Sequence, residues 1–276
     1  DNAGLITGRR DMEVRGVLVC LDCTEAIIRE AALRGCNMVV AHHPIIFKGL
    51  KRLTGSTYAE RAEELAIREG IAIYAIHTNL DNVLYRGVNQ RIGARLGLQD
   101  LRILAPMREQ LFKLETFVPH AHADVVREAL FAAGGGTIGN YDACSFNLSG
   151  IGTFRPGEGS NPFIGQHGMI QREEETYIQM VAPRHREASL IRALKAAHPY
   201  EEVAYQVLPL LNEWQESGSG LIGQLPEAME SEAFLKHVQQ AMELPGIRLA
   251  MGPQKHIKRV ALCGGAGSFL TKKALQ

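Results

Sequence analysis

Hydrophobic positions along this chain fall into two rhythms. Short, nearly continuous apolar runs at Val14 to Leu21, Met38 to Ala41 and Ile71 to Ile76 read as strands, the last apolar enough to be buried on both faces. Between them, apolar residues spaced three and four apart read as amphipathic helices. The first follows Thr24, which can cap a helix running to about Arg34. The second covers Tyr58 to Arg68 and closes at Gly70, and the third covers Val88 to Leu96 and stops at Gly97. This alternation predicts an α/β layer with a largely parallel or mixed sheet.

The pattern changes near Leu111. Lys113 to Val118 reads as a strand, Ala123 to Ala133 as a helix ended by Gly134-Gly135-Gly136, and Tyr141 to Phe146 as a strand. Gly152 to Gly159 reads as loop, Glu175 to Val181 as a strand, Glu187 to Ala197 as a helix and Val203 to Leu208 as a strand. Strand, helix, strand, strand, helix, strand is the ferredoxin-like order, and it closes on itself. The organisation predicted is a first lobe over residues 1–110, an inserted ferredoxin-like domain over 111–211, and a second lobe over 212–276. Gly218-Ser219-Gly220-Leu221-Ile222-Gly223 marks the return to the first body. Glu232 to Met242 reads as a helix and Ile257 to Leu262 as a strand entering a glycine-rich loop, Gly264 to Ser268. Helical sequence then begins and stops at Gln276, which leaves the last α/β unit incomplete and points to a missing tail.

A chain of 276 residues suffices for about two domains. Thirty basic residues balance thirty acidic ones, so the large basic excess of a nucleic-acid footprint is absent, although a local basic groove is not excluded. No apolar run approaches the roughly 20 residues needed to span a bilayer, and the start carries no signal-peptide pattern. The five cysteines, an odd number, read as free thiols in a reducing compartment, hence a cytoplasmic protein. Cys20 and Cys23 have CxxC spacing but sit at a strand-to-helix turn, so redox or zinc chemistry is disfavoured.

Two predicted strands end in ligand-grade side chains. One enters Ala41-His42-His43-Pro44 and the other enters His77-Thr78-Asn79-Leu80-Asp81-Asn82. Carboxyl ends of strands are where open α/β sheets bind ligands, so His42, His43 and Asp81 form a candidate metal site. Adjacent residues in an extended segment point to opposite sides. His42 and His43 can therefore share one ion if the chain turns at Pro44, or can serve two ions bridged by Asp81. Imidazole and carboxylate suit zinc, iron, manganese, nickel and cobalt without choosing among them. His77, four residues before Asp81, is placed to orient a ligand or relay a proton, because imidazole titrates near neutrality. Three side chains are too few to hold two ions comfortably.

Other candidates are weaker. His120 and His122 are expected to be solvent-exposed and His256 to sit on a solvated strand approach. His198-Pro199-Tyr200-Glu201-Glu202 reads as a turn held by tyrosine and glutamate contacts, or else as a ligand surface. The loop Gly264 to Ser268 lacks the Gly-Lys-Ser/Thr ending of a P-loop and reads as close strand-to-helix packing. No nucleophile-elbow glycines surround Ser145.

Several stretches together resemble the NIF3-like dinuclear metal proteins, often named as homologues of type 2 GTP cyclohydrolase I. They are Asp1 to Leu5, Ala41 to Leu50 and His77 to Asn82, with Gly152 to Pro156, Asn161 to Gly165 and His198 to Glu202 resembling the inserted domain of longer bacterial members. The resemblance implies a two-lobed α/β body holding two divalent metals, with His42, His43 and Asp81 at family ligand positions. It implies an inserted domain similar to PII and CutA folds, and a homohexamer built as a dimer of trimers. It places the remaining ligands in a C-terminal His-x-x-x-Glu motif, and it implies an opening helix ahead of Asp1; this sequence includes neither. Both are expected in the natural protein, and a chain truly ending at Gln276 should bind a dinuclear centre weakly. The function implied is hydrolysis of a nucleotide-like or phosphorylated small molecule, with a metal-dependent regulatory or binding ring contacting DNA or protein as the alternative.

Overall fold

The computed structural model describes residues 2–250 and 252–276. Asp1, which opens one of the resembling stretches, and Met251 lie outside the described residues. The chain is mixed α/β and divides into two compact units, residues 1–105 with 218–276, and residues 106–217.

In the first unit, β1 (Gly4–Thr7), β2 (Val17–Cys20), β3 (Met38–Ala41) and β4 (Ala72–Ala75) form a sheet of order β1-β4-β3-β2. β2, β3 and β4 are parallel and β1 pairs antiparallel to β4. Helices α1 (Glu25–Leu33) and α2 (Tyr58–Arg68) connect the parallel strands. Each begins on a threonine, Thr24 or Thr57, whose hydroxyl accepts an N–H of the first turn. Their small apolar faces, Ile28 and Ala31 on α1 and Ala62 and Ala66 on α2, pack with Val39, Ala41 and Ile73 of the sheet in one core.

The strand β4 leads into a five-residue helix α3 (His77–Asp81), which periodicity does not reveal, and then α4 (Val88–Arg95) and β5 (Gln99–Met107). The second unit runs β6 (Leu111–Pro119), α5 (Ala123–Ala132), β7 (Phe146–Phe154), β8 (Gln171–Pro183), α6 (Glu187–Ala197) and β9 (Tyr205–Leu210). Its sheet is antiparallel, in the order β7-β8-β6-β9. One face carries Phe112, Leu114, Ile178 and Met180 against Val126, Leu130, Leu190 and Leu194 of the helices. The other face bears Phe117, Tyr177, Phe146 and Leu148, the last two more than half exposed.

The segment Tyr141 to Phe146, read as a strand, contributes only an isolated bridge between Ile138 and Tyr141. The true strand is β7, which continues to Phe154 through residues read as loop. β7 is an edge strand with exposed residues on both faces, so its sequence carries no burial alternation.

The chain then enters β10 (Trp214–Glu230), α7 (Ser231–Ala241), β11 (His256–Leu262) and a final short helix α8 (Thr271–Ala274). The Gly-Ser stretch read as the return to the first body is the middle of β10, a strand of 17 residues in the sheet β11-β10-β5. Glycine at 223 is a close-approach requirement, since a Cβ there would stand 2.9 Å from the backbone oxygen of Gln99. Among the described residues no helix is long and apolar enough to cross a membrane.

Candidate metal centre

Three adjacent parallel strands deliver the candidate residues to one edge of the first sheet. Their hydrogen-bond ladder runs on past the strand ends. His42 N–H donates to Cys20 C=O at 3.0 Å, His43 N–H to Leu21 C=O at 2.9 Å, Ile76 N–H to Ala41 C=O at 2.9 Å and His77 N–H to His42 C=O at 2.9 Å. The positions following β2, β3 and β4 are therefore fixed by the same ladder that holds the core.

The chain bends at His42 and His43, and the two rings lie on neighbouring directions with centroids 4.9 Å apart. His42 Nε2 stands 3.9 Å from Asp81 Oδ1, both side chains being about one-fifth exposed. Two ligands that each sit about 2.1 Å from one ion are at most about 4.2 Å apart, so this pair is within bridging reach. His43 Nδ1 donates to Asp22 Oδ1 at 2.8 Å. That bond fixes the ring and leaves Nε2 as the free donor atom, the arrangement by which a carboxylate orients a ligating histidine. The His77 ring centroid lies 6.2 Å from that of His42 and 6.3 Å from that of Phe47. His77 also has a positive φ of 38°, the left-handed region that bulky residues seldom occupy, at the strand-to-helix turn.

Asp81 owes its position to groups far away in sequence. It ends α3, whose last carbonyls have no partner within the helix. Asn89 Nδ2 donates to the Asp81 carbonyl at 2.8 Å, and Gly218 N–H donates to the Asn82 carbonyl at 2.8 Å. Asn89 Oδ1 accepts from Gly264 N–H at 2.7 Å, and Ser219 Oγ donates to Asn82 Oδ1 at 3.1 Å. One buried asparagine thus ties Asp81 to the loop after β11. Cys263, half buried at that loop, has its thiol pushed up by burial and then by the Asp81 charge. The glycine-rich loop Gly264 to Ser268 is here an anchor for α3 and α4.

The structure brings His42, His43, His77 and Asp81 to one edge and adds Asp22, Asn89 and Cys263. Among the described residues, no three His, Cys, Asp or Glu side chains stand close enough to hold an ion by themselves. The donor set nonetheless fits a divalent ion in its chemistry: imidazole nitrogens, a carboxylate within bridging reach, and a second carboxylate orienting a histidine. Asp22 is not among the candidate residues that the sequence singles out. Its signal is positional, since it follows the end of β2 as His42 follows β3 and His77 follows β4.

The remaining candidates fall elsewhere. His120 is exposed and bonded through Nδ1 to Thr176 Oγ1 at 2.7 Å, while His122 is half buried with its ring 5.5 Å from that of Phe163. His256 is exposed and ion-paired with Glu230 at 2.7 Å. Cys20 and Cys23 are free, and burial pushes the Cys23 thiol up to about 12, far from a reactive thiolate.

A protein of Halalkalibacterium halodurans named GTP cyclohydrolase 1 type 2 homolog is 43% identical over 277 aligned residues, covering 100% of this chain and 74% of the relative. A Bacillus subtilis protein of the same name is 37% identical, over 97% of this chain and 72% of that relative. The crystal structure of a Bacillus cereus protein related to NIF3 superposes with a TM-score of 0.83 at 40% identity, covering 100% of this chain and 73% of the other. The family model described as Duf34/NIF3 (NGG1p interacting factor 3) matches residues 1–276, and the chain belongs to that family.

Proposed function

We propose that this chain holds a dinuclear divalent-metal site and is a metal-dependent hydrolase of a nucleotide-like or phosphorylated small molecule. The observation that carries the reading is the His43–Asp22 bond at 2.8 Å beside the His42–Asp81 pair, at the ends of adjacent parallel strands. A carboxylate held to Nδ1 of a half-exposed histidine orients the ring and readies Nε2 for a ligand. His42, His43 and Asp81 would be protein ligands, with others needed to complete two coordination shells. Bound there, divalent ions of zinc, iron, manganese, nickel or cobalt would supply Lewis acidity toward a phosphoryl or carbonyl oxygen. Asp22 orients His43, Asn89 holds the Asp81 backbone, and His77 is placed beside the ligands to orient substrate or carry a proton. The name shared by the relatives supports a nucleotide-like substrate.

Within this reading the second unit is an inserted ferredoxin-like module of the PII and CutA kind. Its strand order β7-β8-β6-β9 with two helices on one face supports that. The more-than-half-exposed Phe146 and Leu148 on its other face offer apolar surface for assembly with further copies, and the homohexamer of two trimers is what the family resemblance implies. They equally support the second reading, a metal-dependent regulatory or binding ring without turnover that contacts protein or DNA in the cytoplasm.

Elemental analysis of chelator-free protein, alongside Asp81→Ala, tests the site. Bound divalent metal lost in the variant, with hydrolysis of nucleotides or phosphoesters that follows metal content, supports the enzyme. Metal without turnover favours the ring. Absence of metal, or metal content indifferent to Asp81→Ala, would remove His42, His43 and Asp81 from the role.

A further inference from the structure

Three stretches far apart in sequence, none used by the metal site, converge in the second unit. They are the end of β7 at Gly152 to Phe154, the loop through Phe163, and the turn His198 to Glu202. Together with β8 they line an open cavity of about 700 Å³.

A set of hydrogen bonds holds the walls of this cavity. His198, 7% exposed, donates from Nε2 to Phe117 C=O at 2.9 Å and accepts Tyr200 N–H on Nδ1 at 3.1 Å. Burial keeps its pKa low, in keeping with a neutral ring used as a bolt. The bolt aims Tyr200 inward, where its hydroxyl donates to Glu175 Oε1 at 2.9 Å. Glu201 Oε1 accepts Asn161 N–H at 2.7 Å and so ties the loop to the turn.

The floor is unusual in its charge. Glu175 is 7% exposed, and among the described residues it has no ion-pair partner. Its carboxylate lies over β7 at Gly152, where an added Cβ would come within 2.1 Å of Oε2. Glycine there makes room for a carboxylate in an apolar wall. With the Tyr200 phenol on Oε1, Oε2 has no protein hydrogen-bond partner among the described residues and is left to accept from a ligand in the cavity. Around it stand three rings: Tyr200 lies 5.8 Å from Phe154 and 6.3 Å from Phe163 between centroids. Aromatic faces beside a carboxylate recognise a cation with an organic stem. The rim adds the exposed Glu201 and Glu202 against one exposed Arg155, so the lining is net negative and opposes phosphate.

We propose that this cavity binds a small organic ammonium ion, its nitrogen on the Glu175 carboxylate and its stem against Phe154, Phe163 and Tyr200. Arg155 at the mouth offers a place for an anionic end, which distinguishes a zwitterion from a simple amine. The proposal rests on the second unit alone and stands whether or not the first holds metal.

Isothermal titration of the full chain tests it with benzylammonium, its neutral isostere benzyl alcohol, and the zwitterion phenylalanine. Benzylammonium should bind in the millimolar range or tighter, and at least about tenfold more tightly than benzyl alcohol. Glu175→Gln should weaken it by about tenfold or more. Should that buried change prevent folding, Phe163→Ala, which removes a ring 53% exposed, should weaken binding by about threefold or more. Phenylalanine binding more tightly than benzylammonium supports the site and assigns its carboxylate to Arg155. No heat from either ammonium compound, equal binding of benzyl alcohol, or unchanged binding in folded Glu175→Gln or Phe163→Ala overturns it.

Discussion

Asn89→Ala is the most informative single perturbation of the first unit. Asn89 is 3% exposed, and its amide joins the Asp81 carbonyl at 2.8 Å to the Gly264 N–H at 2.7 Å. Alanine removes both partners at once and cannot replace either. A buried donor or acceptor left without a partner costs about 1–3 kcal/mol. Two such groups give about 2–5 kcal/mol, the upper end being reduced where water enters the vacated space. Against this, alanine in place of asparagine in α4 gains only about 0.5 kcal/mol of helix propensity. The hydrogen bonds win, and the first unit is destabilised.

Denaturant unfolding followed by circular dichroism reads this out. Two units allow two transitions, and Leu194→Ala assigns them. Leu194 is fully buried in the core of the second unit, so its truncation should cost that unit alone about 2–5 kcal/mol. Asn89→Ala should shift the other transition. In native buffer it should also weaken metal binding, because Asp81 loses the group that holds its backbone. A shift below about 0.5 kcal/mol in both transitions would refute the argument, since it would mean that neither Asp81 nor Gly264 depends on Asn89.

Asp22→Ala should lower divalent-metal affinity by about 10–100-fold in a chelator competition, yet change stability by less than about 0.5 kcal/mol because the pair is half exposed; unchanged affinity would free His43 from dependence on Asp22. Glu60 accepts from the backbone N–H groups of Thr54 and Ser56 and from their hydroxyls, which hold its carboxyl at about 2, below the ordinary 4.5. A lowered carboxyl stabilises the fold above its unfolded value and loses that effect as pH falls towards the folded one. Glu60→Gln should therefore be less stable than the parent at neutral pH, the gap closing between about 4.5 and about 2; a gap unchanged across that window in pH-dependent denaturation contradicts the assignment. The Cys23 thiol, buried and pushed up to about 12, should resist iodoacetamide at pH ~8 until denaturant is added, and mass spectrometry showing a Cys20–Cys23 disulfide under mild oxidation would contradict it.

Legibility followed burial. The helices at Tyr58–Arg68 and Glu187–Ala197 each bury one stripe against a sheet, and their spacing alone places them. The strands β3 and β4 are apolar because helices or other strands cover them. β7 and β10 defeat the same logic. β7 has residues exposed on both faces, so no alternation marks it. β10 carries Gly218, Ser219 and Gly220, turn residues by composition, yet holds a pairing with β11 from Leu221 to Gln224 that only a distant strand can supply. α3 is a single turn, shorter than any period that could announce it.

The candidate centre divides along the same line. His42, His43, His77 and Asp81 are legible because each follows a buried strand, and parallel neighbours place their ends side by side. The groups that aim these side chains are not legible, because each works across the fold. Asp22 reaches His43 only because β2 and β3 are adjacent and in register, Cys20 opposite Ala41. Asn89 reaches Gly264 across 175 residues of sequence. A ligand type can be recognised from chemistry and local spacing, whereas its orientation belongs to the packed sheet. That separation has a mechanical consequence. The ladder that positions His42 and His77 continues directly from the pairs Val39–Ile73 and Ala41–Ala75, all four fully buried. Rotation of the β3–β4 pair would move His42 relative to Asp81, whose backbone is pinned separately through Asn89. Enlarging Ala75, which is fully buried, should therefore disturb the His42–Asp81 distance before it unfolds the unit, so metal affinity falls earlier in a graded Ala75→Ser, Ala75→Val series than the unfolding midpoint does.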